Sequence, residues 1–415
     1  MSDTATQAPR EPDVEHDPTT ALDERPPLSP LAALRGLAQG DLGALRVILG
    51  IALVWIIFQS QNSNFLTALN LTNLMLQVTA VGCISVGIVL VLLLGEIDLS
   101  VGSVSGLTAA IMAVLNVQHG WNPVAAIIAA LVAGALVGLF QGFVITAFQI
   151  PSFVVTLAGL IGWQGLQLQV LGETGTVNIP DNTITQLTST FFSDVVGWII
   201  GIAAALLYVG SGLLERRRRS RAGLVVADPV PFFVRSLVVA VAMLVAIAVF
   251  NSYRGLPLGV VILLGFTAGF AFITKRTRYG RYIFATGGNP EAARRSGIKI
   301  TWIRVSVFTL ASTMAAVGGV LAASRLFAVN QSSGGSDLLL LAIAAPVVAG
   351  VSLFGGRGTV WAALLGSILI GSISNGMDLL GLSSPVKFMI TGAVLLAAVV
   401  IDAATRLRRR QVRRV

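Results

Sequence analysis

Thr72-Asn-Leu-Met-Leu-Gln-Val-Thr-Ala-Val-Gly-Cys-Ile-Ser-Val-Gly-Ile-Val-Leu-Val-Leu-Leu-Leu-Gly95 carries no charged residue. A helix needs about 20 predominantly apolar residues to cross the hydrocarbon core of a bilayer, and this run meets that length. Outward from it, further apolar runs fall at 44–59, 101–116, 123–147, 152–171, 194–214, 232–250, 256–273, 301–328, 336–353, 359–377 and 385–401. The pattern predicts an all-α, polytopic transmembrane helix bundle of about twelve spans. The run 101–116 covers only about 24 Å at helical rise, which suits a short or re-entrant helix.

The whole-chain composition agrees. Of 415 residues 55% are hydrophobic and 11% are charged, and the mean hydropathy is +0.84. Soluble domains carry about 25% charged residues, so too little charge is present to coat a water-facing globule. A disordered chain is excluded because it would need low hydrophobicity. The single cysteine, Cys83, lies in an apolar run and can form no intrachain disulfide; it reads as a small buried hydrophobe.

The net charge of +9 divides unevenly. Residues 1–41 hold 8 acidic and 3 basic side chains and no apolar run, which predicts a disordered tail. Most of the remaining basic residues cluster in alternate loops. One holds Arg216, Arg217, Arg218, Arg219 and Arg221, another runs from Lys275 to Lys299, a third holds Arg357, and the segment 406–415 is a basic tail. On the other side only Arg254, Arg325 and Lys387 fall in or near loops, and the loop 172–193 has no basic residue. Cytoplasmic loops are enriched in Lys and Arg, so both termini are expected in the cytoplasm, with the transmembrane domain over 42–405 between two cytoplasmic tails. This placement explains the positive charge without nucleic acid.

Two blocks of four runs, 72–171 and 301–401, are nearly equal in length and start on opposite sides. That is the layout of an inverted-topology repeat, which places a transport path near the midplane. The pair 194–214 and 232–250 reads as inserted, giving a ten-span inverted-repeat core plus one extra pair. No engine is visible. Lys275, Lys299 and Lys387 follow Thr274, Ile298 and Val386, never glycine, so no Walker loop is present. The acidic side chains outside the tail sit in loops or at run ends, and no chain of intramembrane carboxylates suggests ion coupling.

The loop 275–299 contains Asn289-Pro-Glu291-Ala-Ala-Arg-Arg-Ser-Gly297. Asn289 can cap, Pro290 suits the first helical position, Glu291 complements the dipole and Gly297 ends the helix. A short helix outside the membrane, bracketed by bends, is suited to dock into a groove on another protein. Glu291-Ala292-Ala293-x3-Gly297 resembles the EAA-x3-G signature of bacterial ABC-importer permeases. Gly95-Glu96-Ile97-Asp98-Leu99-Ser100-Val101-Gly102-Ser103 resembles an element that follows the second span in the ribose/xylose (monosaccharide) branch. Gly355-Gly356-Arg357-Gly358, Asn375-Gly376 and Leu380-Gly381-Leu382-Ser383-Ser384 extend that likeness, which covers about residues 60–401. The insert at about 190–250 makes the chain longer than a ribose-type permease, and in length it is closest to the xylose type.

The resemblance implies a permease subunit of an ABC sugar importer in the bacterial inner membrane, with xylose or a related pentose as solute. It implies a homodimer with the path near the subunit interface, a cytoplasmic ATP-binding subunit that uses ATP and Mg, and an extracytoplasmic sugar-binding protein. It implies no cofactor or chemistry in this chain. Glu291, Ala292, Ala293 and Gly297 take the ATPase-coupling role. Glu96, Asp98 and Ser100 are candidates for gating or for capping the following helix, with Glu96 able to pair with a cytoplasmic arginine. Trp163, Gln164, Gln167 and Asn375 are candidates for the sugar path, because amides suit hydroxyls and an indole face suits a sugar ring. The rival readings are a related permease for another small solute (a different sugar, a nucleoside or a branched-chain amino acid), an ion-coupled carrier and a passive channel.

Overall fold

The structure, a computed structural model, describes residues 42–224 and 229–394, with 396, 397 and 400. The expected tails at 1–41 and 406–415 lie outside the described residues, as does much of the end of the run 385–401.

Helix α1 (Leu42–Gln61) leads to the central helix α2 (Ala68–Leu93), whose N-terminus is capped by the Thr67 side chain accepting from the Asn70 N–H. A bend at 94–100 enters the shorter α3 (Val101–Val117), followed by α4 (Pro123–Ala147) and α5 (Ser152–Leu171). The loop expected at 172–193 is not irregular. It folds as strand β1 (Thr176–Asn178), helix α6 (Thr183–Ser189) and strand β2 (Phe191–Phe192). The inserted pair follows as α7 (Asp194–Arg221) and α8 (Pro229–Asn251), then strand β3 (Leu256–Pro257), α9 (Leu258–Arg276), α10 (Arg278–Gly288) and α11 (Pro290–Arg295). The second central helix, α12 (Ile300–Leu326), leads through β4 (Ala328–Asn330) to α13 (Ser336–Val348) and α14 (Trp361–Leu379).

Among the described residues, eight helices are long and apolar enough to span a membrane, and α3 and α13 are shorter apolar helices. The run 336–353, expected as a full span, is corrected to a half-helix. Pro346 lies inside α13, the helix stops at Val348, and Gly350 turns the chain at φ +89°. Proline removes one ladder hydrogen bond and crowds the preceding turn, so a helix this short does not continue far past it. The basic run 216–221 is also not a loop. It is the last turns of α7.

Burial sorts the helices into a centre and a rim. In α2, 89% of the apolar window is buried and in α12 67%, against 17% in α7 and 11% in α8. The inserted pair therefore packs mainly on itself at the periphery, apolar all round as a lipid-facing pair should be. The small residues Gly134, Gly138 and Gly142 seat α4 on α12. A Cβ at Gly138 would fall 2.4 Å from the Phe308 carbonyl oxygen, so only glycine allows that approach.

The two blocks repeat one plan: a long helix, a bend, a half-helix and a spanning helix. The half-helix α3 packs on α12 as α13 packs on α2, and α4 packs on α12 as α14 packs on α2. This reciprocity is the contact pattern of an internal two-fold. The chain is an all-α polytopic membrane bundle. At one end it carries two short antiparallel ribbons, β1 with β4 (Val177 opposite Val329) and β2 with β3 (Phe191 opposite Pro257). At the other end lie the basic segments. Glu215 of α7 binds Arg276 at 2.6 Å, which brings the arginine-rich end of α7 beside the α9–α11 segment.

Candidate functional site

Both half-helices begin inside the bundle. The bend 94–100 turns back from the basic end at Gly95, φ +78°. Ser100 Oγ accepts from Gln141 Nε2 at 2.9 Å. Gln141 stands six residues before the end of α4, so α3 starts about 9 Å in from that end. From the opposite end the bend 327–335 dips inward, held by Gln167, whose Nε2 donates to the carbonyls of Asn330 (3.1 Å) and Ser333 (2.9 Å). There the 327–335 bend meets the first turns of α3. A Cβ at Gly102 would fall 2.8 Å from the Gly334 carbonyl oxygen and one at Gly106 2.1 Å from that of Ser333. The N-termini of α3 and α13 thus converge in the interior, with partial positive charge and free N–H groups aimed at neutral or anionic acceptors.

A cavity of about 490 Å³ opens at this junction, lined by Ser105, Gly106, Gln164, Gly319, Ser333 and Asp337 among others. Its volume is in the range of small-molecule sites, about 300–1,000 Å³. Of the candidate path residues, Gln164 lines it. Gln167 stands behind the wall and holds the 327–335 bend. Trp163 is half-buried with its indole edge-on to Phe140 and its N–H unpartnered. Asn375 is elsewhere: its amide and that of Asn70 exchange hydrogen bonds at 2.8 and 3.1 Å, joining α14 to α2.

The bend 94–100 is built on its own polar groups. Asp98, buried, accepts through Oδ1 from the Ser100 N–H (2.8 Å) and hydroxyl (2.7 Å). Ser100 occupies the N-cap position of α3 but makes no side-chain cap bond, so the capping expected of Asp98 or Ser100 takes a different form. The carboxylate fixes the turn before the helix rather than its first free N–H groups. Glu96 pairs with Arg304 at 2.9 Å.

At the same end, α10 and α11 form a short amphipathic hairpin. Asn289 caps α11, accepting from the Ala292 N–H at 3.0 Å, with Pro290 in the first turn. Glu291 sits among Arg294 (3.9 Å) and Arg295 (3.3 Å) on the exposed face. Ala293 is buried against the bundle, whereas Glu291, Ala292 and Gly297 face outward. Gly297 has φ +81° and open space around its Cα, as a helix stop in the left-handed region requires. Tyr279 ties α10 to α12 through Ser306 Oγ at 2.8 Å, and burial pushes its phenol above the usual range.

Gln141, Arg304 and Ser333 were not among the candidates read from the sequence. Gln141 and Arg304 carry a signal, being an amide and a cation within apolar runs. Ser333, in a polar Gln-Ser-Ser-Gly-Gly-Ser stretch, acts through its backbone and has none.

The family model for the branched-chain amino acid transport system / permease component matches residues 70–399. The chain is 36% identical to the xylose transport system permease protein of Escherichia coli K12 over 90% of its length and 95% of that protein's. It is 33% identical to the xylose permease of Haemophilus influenzae, covering 87% of this chain and 96% of that one. It is also 33% identical to the ribose import permease of Bacillus subtilis, covering 88% and 94%. No solved structure matches it. A bundle with two opposed half-helices, a solute-sized cavity where they meet and a capped helix outside the spans thus has relatives that are transport permeases along nearly all of its length, and the chain belongs to the branched-chain amino acid transport system / permease component family, on the side of it that holds the xylose and ribose permeases.

Proposed function

We propose that this chain is the membrane-spanning subunit of an ATP-driven ABC importer for a monosaccharide, xylose or a related pentose, in the bacterial inner membrane with both termini cytoplasmic. The sugar reading rests on relatives that are xylose permeases and match nearly end to end. The energy reading rests on one structural observation, the exposed, capped helix α11 with its glycine stop. The chain carries the path, a separate ATP-binding subunit supplies the work from ATP and Mg, and an extracytoplasmic binding protein delivers the solute at the β-ribbon end.

Two copies would complete the path. Gln164 and Gln169 are exposed on α5, next to the open flanks of Gly162 and Gly165. Amides exposed to hydrocarbon are costly, so this face suits a second subunit and an aqueous route rather than lipid. Serine hydroxyls and the Gln164 amide both donate and accept, and the N–H groups at the start of α13 donate, which fits a neutral polyol. No covalent step is required. Closure of the ATPase pair pushes on α11, and the half-helices change which end of the cavity is open.

The family description favours one second reading, a branched-chain amino acid as solute. Competition of labelled xylose uptake by ribose and by leucine separates the two. The coupling role is tested by Gly297→Asp. The side chain enters a left-handed position at a cost of about 1 kcal/mol and adds negative charge at a helix C-terminus at about 0.3–1 kcal/mol. Those terms leave insertion near normal. Co-purification of the ATPase subunit and uptake should fall together, and normal uptake would remove α11 from the coupling role.

A further inference from the structure

The reading above makes α11 the element that receives force, and the geometry at its exit leads to a second step. Gly297 ends α11 and α12 begins at Ile300, so Arg304 lies just over one turn into the helix that α11 feeds. Its Nη2 reaches Glu96 Oε1 at 2.9 Å, with the carboxylate side chain 15% exposed and the guanidinium 34%. The Arg304 Nε is buried without another partner. An arginine that only anchors topology extends its head into water. This one is turned toward a single carboxylate. Glu96 follows the Gly95 pivot and precedes Asp98 and Ser100, the groups that set the start of α3. Four residues of bend therefore separate the ion pair from the half-helix whose Gly102 and Gly106 touch the 327–335 bend at the cavity.

A second contact joins the same parts. Gly287, two residues before Asn289, leaves no room for a side chain: a Cβ there would fall 1.8 Å from the Leu93 carbonyl oxygen. That oxygen accepts from the Gly356 N–H at 2.9 Å. The end of α10 thus abuts the last residue of α2, just before the bend, backbone to backbone. This contact transmits compression only. A directional link that also transmits tension needs a bond, and the ion pair supplies it.

We propose that Glu96 and Arg304 are positioning residues that carry displacement of the α10–α12 segment to the half-helix α3, and so link ATPase movement to the cavity. The proposal rests on α11 being the coupling element. Neither side chain is among those that line the cavity at the half-helix junction. Their loss should leave the complex assembled and its basal ATP hydrolysis intact while separating hydrolysis from transport.

The experiment uses the complete importer in proteoliposomes, with its ATPase subunit and binding protein, and measures co-purification, ATP hydrolysis and xylose uptake on the same preparations. Glu96→Gln and Arg304→Gln should each cut uptake per ATP hydrolysed by about tenfold, a fall within the usual span of coupling between sites. The exchanged pair Glu96→Arg with Arg304→Glu should restore a large part of that ratio. A ratio unchanged in the single variants overturns the proposal. A folded, assembled exchange variant that stays as uncoupled as the single ones also overturns it, and that variant decides the matter if a single variant inserts poorly. If Gly297→Asp also leaves assembly and uptake intact, the role of α11 itself fails. If Gly297→Asp abolishes uptake and Glu96→Gln does not, only the ion-pair link fails.

Discussion

Gly138 and Gly165 are both glycines on spanning helices, yet their surroundings differ. At Gly138 a methyl group meets the Phe308 carbonyl at 2.4 Å and Thr309 Cα at 2.7 Å, backbone atoms that cannot step aside, and at Gly165 it meets nothing within 4 Å. Gly138→Ala should therefore destabilise the purified permease by about 1–3 kcal/mol, the usual cost of overpacking, and Gly165→Ala should not, as thermal unfolding in detergent would show. Gly134, Gly138 and Gly142 recur every four residues, a small-residue spacing that reads from the sequence as a close helix-packing face. The Asn70–Asn375 pair was not, because its members stand 305 residues apart and an amide in a span reads equally as solute contact or as helix-to-helix bond. Asn375→Ala strands one buried amide, a loss of about 1–3 kcal/mol. The same unfolding assay should register it, with the KM for xylose unchanged.

The half-helices α3 and α13 differ in how far the sequence reveals them. Hydropathy marks both as apolar runs, but it is blind to where a run starts relative to the membrane. The first was legible as short from its length alone. The second was hidden, since residues 336–353 are long enough to span and the break comes from Pro346 and Gly350. Nor could the sequence say what holds the bend that feeds α13. Gln167 does so by giving both N–H bonds to carbonyls of Asn330 and Ser333. Gln167→Leu leaves those acceptors unpaired, a cost of about 1–3 kcal/mol. Hydrogen exchange at 330–335 should quicken and xylose uptake should fall, with ATPase co-purification unchanged. Unaltered exchange in that segment would mean that the bend is held by other contacts. By contrast α11 was legible down to its cap and stop, because capping chemistry is local and needs no partner from elsewhere in the chain.

For the whole molecule, the arginines and lysines predict an orientation with the basic segments on the cytoplasmic side. The Glu215–Arg276 and Glu96–Arg304 pairs bring three chain segments to one end, while both β-ribbons lie at the other. The ribbons escaped the sequence because strands of two or three residues carry no periodicity to read. With cysteines placed singly at Ser220 and Thr183, an impermeant thiol reagent should reach Thr183 from outside intact cells and Ser220 only after permeabilisation. Labelling of both from outside would invert or dismantle the topology. The central claim is that this bundle moves a pentose on work supplied by a separate ATPase. It is tested most directly by xylose uptake into proteoliposomes, with the chain, the ATP-binding subunit, the binding protein and ATP omitted one at a time. Uphill uptake is expected only when all four are present; accumulation by the chain alone, with or without an ion gradient, would contradict a separate ATPase as the source of work.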